Sequence, residues 1–145
     1  MKIITKIQPW SHKVFVELKE WVFPYDVYDL IELQDRIIVH FHSSEFFDNP
    51  PDGVDPACNI WCYDKKTRKI KWIIESPPPC TNIYGTVVNK GGEIDIDGVA
   101  RGYHEAYLVV QYNKFDDMIR AFSDGALYKV NLENGSVVLL RENLK

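Results

Sequence analysis

Short runs of β-branched and aromatic residues recur along the chain at intervals of about ten residues, with turn residues between them. Residues 14–18 alternate Val14, Val16 and Leu18 against Phe15 and Glu17. Residues 36–42 hold Ile37, Ile38, Val39, His40 and Phe41. Residues 60–63 and 70–74 flank a polar stretch, Asp64-Lys65-Lys66-Thr67-Arg68, and predict a hairpin. Residues 84–88, 106–112 and 118–122 continue the pattern, and Ser123-Asp124-Gly125 reads as a turn. Residues 127–132 and 136–141 flank Glu133-Asn134-Gly135, where Asn-Gly is the strongest short-range hairpin signal. Residues 14–28 also fit a helical period, but Pro24 interrupts it, and residues 27–33 are read as a strand. The pattern predicts an all-β fold of antiparallel sheets with sandwich-like packing, and a helix content below about 15%.

The chain has 145 residues, 46% hydrophobic and 26% charged, which suits one globular domain spanning 1–145. No stretch approaches the roughly 18 apolar residues of a membrane span, and residues 1–10 lack the apolar run of a secretory signal. Three cysteines, Cys58, Cys62 and Cys80, are then expected as reduced thiols in a cytoplasmic protein.

Charge is unevenly placed. The net charge is −4. Residues 43–64 contain Glu45, Asp48, Asp52, Asp55 and Asp64 and no Lys or Arg, whereas Lys65, Lys66, Arg68, Lys69 and Lys71 follow at once. An acidic chain is a poor general nucleic-acid binder but a suitable partner for a basic protein.

Few residues suggest chemistry. His40 and His42 share one face of a strand, and two such imidazoles can do acid–base work or hold a metal, with Cys58, Cys62 or His104 as a third ligand, but surface or structural roles are the more common outcome. Cys58-x3-Cys62 is not a metal or redox spacing. Glu93, Asp95 and Asp97 alternate as on an edge strand, and the spacing to Glu105 misses the calcium-loop pattern by one residue. No nucleophile elbow, phosphate-binding loop, dinucleotide fingerprint or zinc-protease motif occurs, so the reading is a binding protein rather than an enzyme, with no cofactor and no metal.

The most distinctive segment is 43–58, SSEFFDNPPDGVDPAC. Pro50 and Pro51 stiffen it, and Phe46 and Phe47 cannot both be buried by one extended strand. Read as a loop, it offers an aromatic anchor among steering carboxylates: Glu45, Phe46, Phe47, Asp48, Asp52 and Asp55, with Glu93, Asp95 and Asp97 as a second acidic group; the alternative is an inter-strand loop whose Phe residues plug the end of the core.

The hairpin at 59–64 matches 126–131 at an offset of 67, pairing Ile60 with Leu127, Trp61 with Tyr128, Tyr63 with Val130 and Asp64 with Asn131. Ile70 then meets Val137, and Trp72 meets Leu139. Residues 36–41 resemble 107–112 at an offset of 71, which gives an internal repeat of about 35–75 and 106–141. Each unit resembles a blade of the WD or quinoprotein-type β-propellers; two such units cannot close a ring and are expected to pack sheet against sheet. Six core residues follow: Ile38, Ile60, Trp72, Val109, Leu127 and Leu139.

Acidity, β-structure, abundant Trp and Tyr, the Glu45-Phe46-Phe47-Asp48 segment with Asp52 and Asp55, and the Trp61/Trp72 hairpin give a resemblance to the immunity proteins of bacterial polymorphic toxin systems, contact-dependent growth inhibition included. That resemblance implies a cytoplasmic inhibitor that binds one cognate toxin, often a basic nuclease. It assigns no functional residue, because such proteins have many unrelated folds. Two other classes stay open: a small enzyme or metal-binding protein built on His40 and His42, and a self-assembling propeller-like module.

Overall fold

The computed structural model describes residues 3–5, 11–78, 80–81, 87–88, 93–96, 99–103, 107–113, 118–123 and 126–142; for 3–5, 44, 47, 80–103 and 123 within these, the backbone alone is described. The fold is all-β, with antiparallel sheets. The first sheet holds β1 (Ile3–Thr5), β2 (Ser11–Val16), β3 (Lys19–Glu32), β4 (Arg36–Phe41), β5 (Ile60–Asp64) and β6 (Ile70–Ile73), in the order β1-β3-β4-β5-β6 with β2 also on β3. A six-residue helix, α1 (Ser43–Asp48), lies between β4 and β5. The second sheet runs β10 (Val99–Tyr103), β9 (Glu93–Ile96), β8 (Val87–Val88), β7 (Cys80–Thr81). The third is a meander of β11 (Val109–Asn113), β12 (Met118–Ser123), β13 (Ala126–Val130) and β14 (Val137–Arg141).

The first sheet is buried on both faces, which is why β4 and the start of β5 show no polar alternation. On one face Ile38, Ile60, Cys62 and Trp72 meet Val110, Ile119, Ala121, Tyr128, Val130 and Val137 of the third sheet. This is the sandwich-like packing. On the other face Ile37, Val39, Phe41, Trp61 and Tyr63 meet Val14, Val16, Trp21, Phe23 and Tyr25 of the β2–β3 hairpin, with Phe46 of α1. Phe23 lies 5.4 Å from Tyr63 ring to ring, so the hairpin folds back over its own sheet.

The expected core needs one correction. Ile38, Ile60 and Trp72 are buried, and Leu139 packs half-buried against the same core, but Val109 is exposed and Leu127 only half-buried. The third sheet uses one face, and its alternation starts from Ala126, Tyr128 and Val130, which turns Leu127 outward.

Residues 14–28 form a hairpin. Val16 pairs with Lys19 across a two-residue turn, Glu17-Leu18, with φ 51° and 65°. Both central residues thus occupy the left-handed region that favours Asn or Gly, and neither carries that signal. Leu18 is fully exposed, while Glu17 receives Lys65 Nζ at 2.7 Å. Leu18→Gly is therefore expected to raise stability by about 1 kcal/mol, read as a higher urea midpoint with an unchanged slope. A drop in the midpoint would show that Leu18 contributes packing.

The two hairpins 67 residues apart close with one turn geometry. Asp64 Oδ1 accepts from Lys66 N, and Asn131 Oδ1 from Glu133 N, each at 2.8 Å. Asp64 N donates to Lys69 O and Asn131 N to Ser136 O, both at 2.8 Å. Arg68 and Gly135 take the left-handed position, with φ 62° and 75°. The hairpins then dock: Trp72 Nε1 and Arg36 Nη1 both donate to Leu132 O, at 2.8 and 2.6 Å. Upstream the correspondence lapses. β4 lies beside β5, whereas β12 separates β11 from β13, so 36–41 and 107–112 do not hold equivalent positions.

Candidate functional site

The acidic segment begins as a helix, not a loop. Pro50 and Pro51 end it after one and a half turns, since a residue before proline is pushed out of helical conformation, and Asn49 has φ −138°. Helical geometry turns Phe46 inward. It is fully buried, 5.0 Å from Tyr25 and 5.8 Å from Trp61 ring to ring. Phe46 is thus a core residue and not an exposed anchor. The backbone of Phe47 belongs to α1, and its side chain lies outside the described residues.

The carboxylates of the segment divide into two kinds. Glu45 is engaged inside the molecule: Oε2 accepts from Asp26 N at 3.1 Å, and Oε1 lies 3.3 Å from His12 Nε2. Asp55 is likewise structural, accepting from Ala57 N at 2.8 Å and from Ser76 Oγ at 3.2 Å. Both are part-exposed and also hold the segment to the rest of the chain. Asp48 and Asp52 are exposed. Their backbone is pinned by buried Phe46, by Tyr25 Oη donating to Asn49 O at 2.6 Å, and by Val54 N donating to Pro51 O at 3.0 Å. Glu93 and Asp95 lie on β9, Asp95 paired with Ala100 and Val87, while their side chains and the whole of Asp97 fall outside the described residues.

His40 and His42 differ in environment. His40 is buried, and its Nε2 donates to Tyr107 O at 2.7 Å. Burial lowers its pKa to about 4; the bond to Tyr107 works against this, and the charge of His42 adds to it. The same carbonyl accepts from Asn59 Nδ2 at 2.9 Å, so the pair ties the first sheet to the segment entering β11. Tyr28, the extra residue of a bulge between Val27 and Asp29, stands 5.4 Å from the ring of His40 and 6.0 Å from that of His42. Tyr28, His40, His42, Ser43 and Leu108 line an open hollow of about 270 Å³. Nε2 is committed to the carbonyl, so His40 ties the first sheet to the entry of β11, while its Nδ1 is buried with no partner among the described residues. Cys58 and Cys62 are buried, and burial pushes both thiols up to about 12, which suppresses thiolate chemistry.

One constellation had no signal in the sequence. His12, Asp26 and Glu45 come from β2, β3 and α1, and one ligand atom of each lies within 4.8 Å of the others. A break in the β2–β3 ladder brings them together. Ser11 pairs with Val27 and Lys13 with Val22, so His12 alone faces residues 23–26, where Pro24 has no N–H to donate. His12 fills the break: Nδ1 lies 3.1 Å from Phe23 O and Nε2 3.0 Å from Asp26 Oδ1. Separations of 14 and 19 residues between its members, and a break that no motif announces, hid the group. Among the described residues no helix is long and apolar enough to cross a membrane. Comparison with protein-family models, curated proteins and solved structures found no match for this chain.

Proposed function

We propose that this chain is an immunity protein that binds and neutralises a cognate basic toxin, a nuclease being the class such charge suits, with the acidic segment as part of its docking surface. The observation that carries the reading is the rigid display of Asp48 and Asp52. They stand in a stretch free of Lys and Arg from 43 to 64, on backbone held by Phe46, Asn49 and Val54. Carboxylates on an ordered frame attract a cationic surface and lose little conformational entropy when it arrives. The apolar contact that Phe46 does not supply has another source on the β2–β3 hairpin. Phe15 and Val22 are diagonal neighbours on its outer face, both about two-thirds exposed.

The test is association of the full chain with the product of the adjacent gene. Asp48→Asn with Asp52→Asn should slow association by about tenfold at low salt and flatten its salt dependence, leaving dissociation nearly unchanged. Phe15→Ala should mainly speed dissociation. Unaltered rates in both variants would remove these surfaces from the interface, and failure of the neighbouring protein to bind at all would sink the inhibitor reading.

A further inference from the structure

We propose that His12, Asp26 and Glu45 form a binding site for a divalent transition-metal ion, with zinc as the ion their donors fit. The imidazole Nδ1 faces the carbonyl oxygen of Phe23 at 3.1 Å, and a carbonyl only accepts, so the ring proton sits on Nδ1. In its neutral form the ring aims the Nε2 lone pair at two carboxylate oxygens, 3.0 Å away on Asp26 and 3.3 Å away on Glu45. Three electron-rich atoms converge, and the arrangement requires positive charge among them. A second ring proton lies along one of the two short vectors only. A metal ion serves all three donors at once.

The surroundings are those of a built site. A ligating histidine characteristically donates its other N–H to a backbone carbonyl, which sets its tautomer and ring orientation. Phe23 O does this here. Asp26 N holds Glu45 Oε2 at 3.1 Å and so presents Oε1 to the group. Zinc bonds of about 2.0–2.2 Å in a tetrahedron place donor atoms roughly 3.3–3.6 Å apart; the His12–Glu45 pair stands at 3.3 Å, the His12–Asp26 pair at 3.0 Å, and all three atoms lie within 4.8 Å of one another. One nitrogen with two carboxylate oxygens suits zinc, whereas calcium and magnesium take oxygen alone. The side chains of His12, Asp26 and Glu45 are 43%, 15% and 28% exposed, so solvent reaches the remaining coordination position. An ion there ties β2 and β3 to α1, the first turn and a half of the acidic segment.

Zinc titration of the chelator-stripped full chain by calorimetry, with cobalt absorption as a spectroscopic reporter, tests this. We expect saturable uptake of one ion per chain and a higher melting temperature. His12→Gln and Asp26→Asn should each weaken uptake by more than about 100-fold, since even changes behind the ligands cost 10–100-fold. His42→Gln should leave it unchanged. The apo variants should melt as cooperatively as the parent, which separates lost binding from lost folding. Absence of saturable uptake would identify the group as an ion pair only. Uptake that survives both His12→Gln and Asp26→Asn, or disappears with His42→Gln, would place the ion elsewhere and overturn the assignment.

Discussion

Replacing Gly135 by Ala should lower stability by about 3 kcal/mol, most of it from one collision. Gly135 has φ +75°, a conformation that costs a residue with a Cβ about 1 kcal/mol. A methyl group added there would lie 2.5 Å from Cε3 and 2.8 Å from Cδ2 of Trp72. That indole has little room to retreat: it is buried, and its Nε1 is tied to Leu132 O. Gly53 is the internal control. Its φ is +79°, yet no atom lies within 4 Å of a Cβ added there, so Gly53→Ala should cost only the backbone share. Urea denaturation with matched slopes measures both. Equal losses would mean that Trp72 moves aside freely and that the docking of the two hairpins is loose.

Acidification from about pH 6.5 to about pH 4 should remove about 3 kcal/mol of stability through His40 alone. The folded chain holds this imidazole neutral down to about 4, while the unfolded chain protonates it near 6.5. Between those values the unfolded state binds one more proton, so stability falls as the pH falls; above 6.5 the contribution is complete. Asp29 acts in the opposite sense, because burial raises its carboxyl and the folded state takes up that proton first. His40→Gln keeps an N–H for Tyr107 O and should flatten the slope between pH 6.5 and 4 by one proton. A slope that persists in the variant would assign the acid sensitivity to another group.

Sequence and tertiary structure contributed different parts of this picture. The β5–β6 and β13–β14 hairpins were legible because their turns are local: Asp64 and Asn131 fold back on the amides two residues ahead, and Gly135 supplies a positive φ. The β2–β3 hairpin was not legible, because Glu17 and Leu18 adopt a turn that their own chemistry disfavours and that the long flanking strands impose. The charge and the prolines of segment 43–58 are legible in the sequence, but the direction in which Phe46 points is not. An extended reading sends one phenylalanine outward. The helix instead places Phe46 among Tyr25, Phe41 and Trp61, whose proximity depends on β3 curling over the sheet.

By itself the sequence determined the all-β class, the antiparallel order and the placement of negative charge, since period-two alternation, turn chemistry and composition act over a few residues. Only the tertiary structure decided which carboxylates face solvent and which are held. It joined His12 to Asp26 and Glu45 across a broken ladder, and it buried His40 beneath Tyr107 O. Those facts depend on contacts between residues far apart in the chain, and no local pattern encodes the folding back of one sheet that creates them.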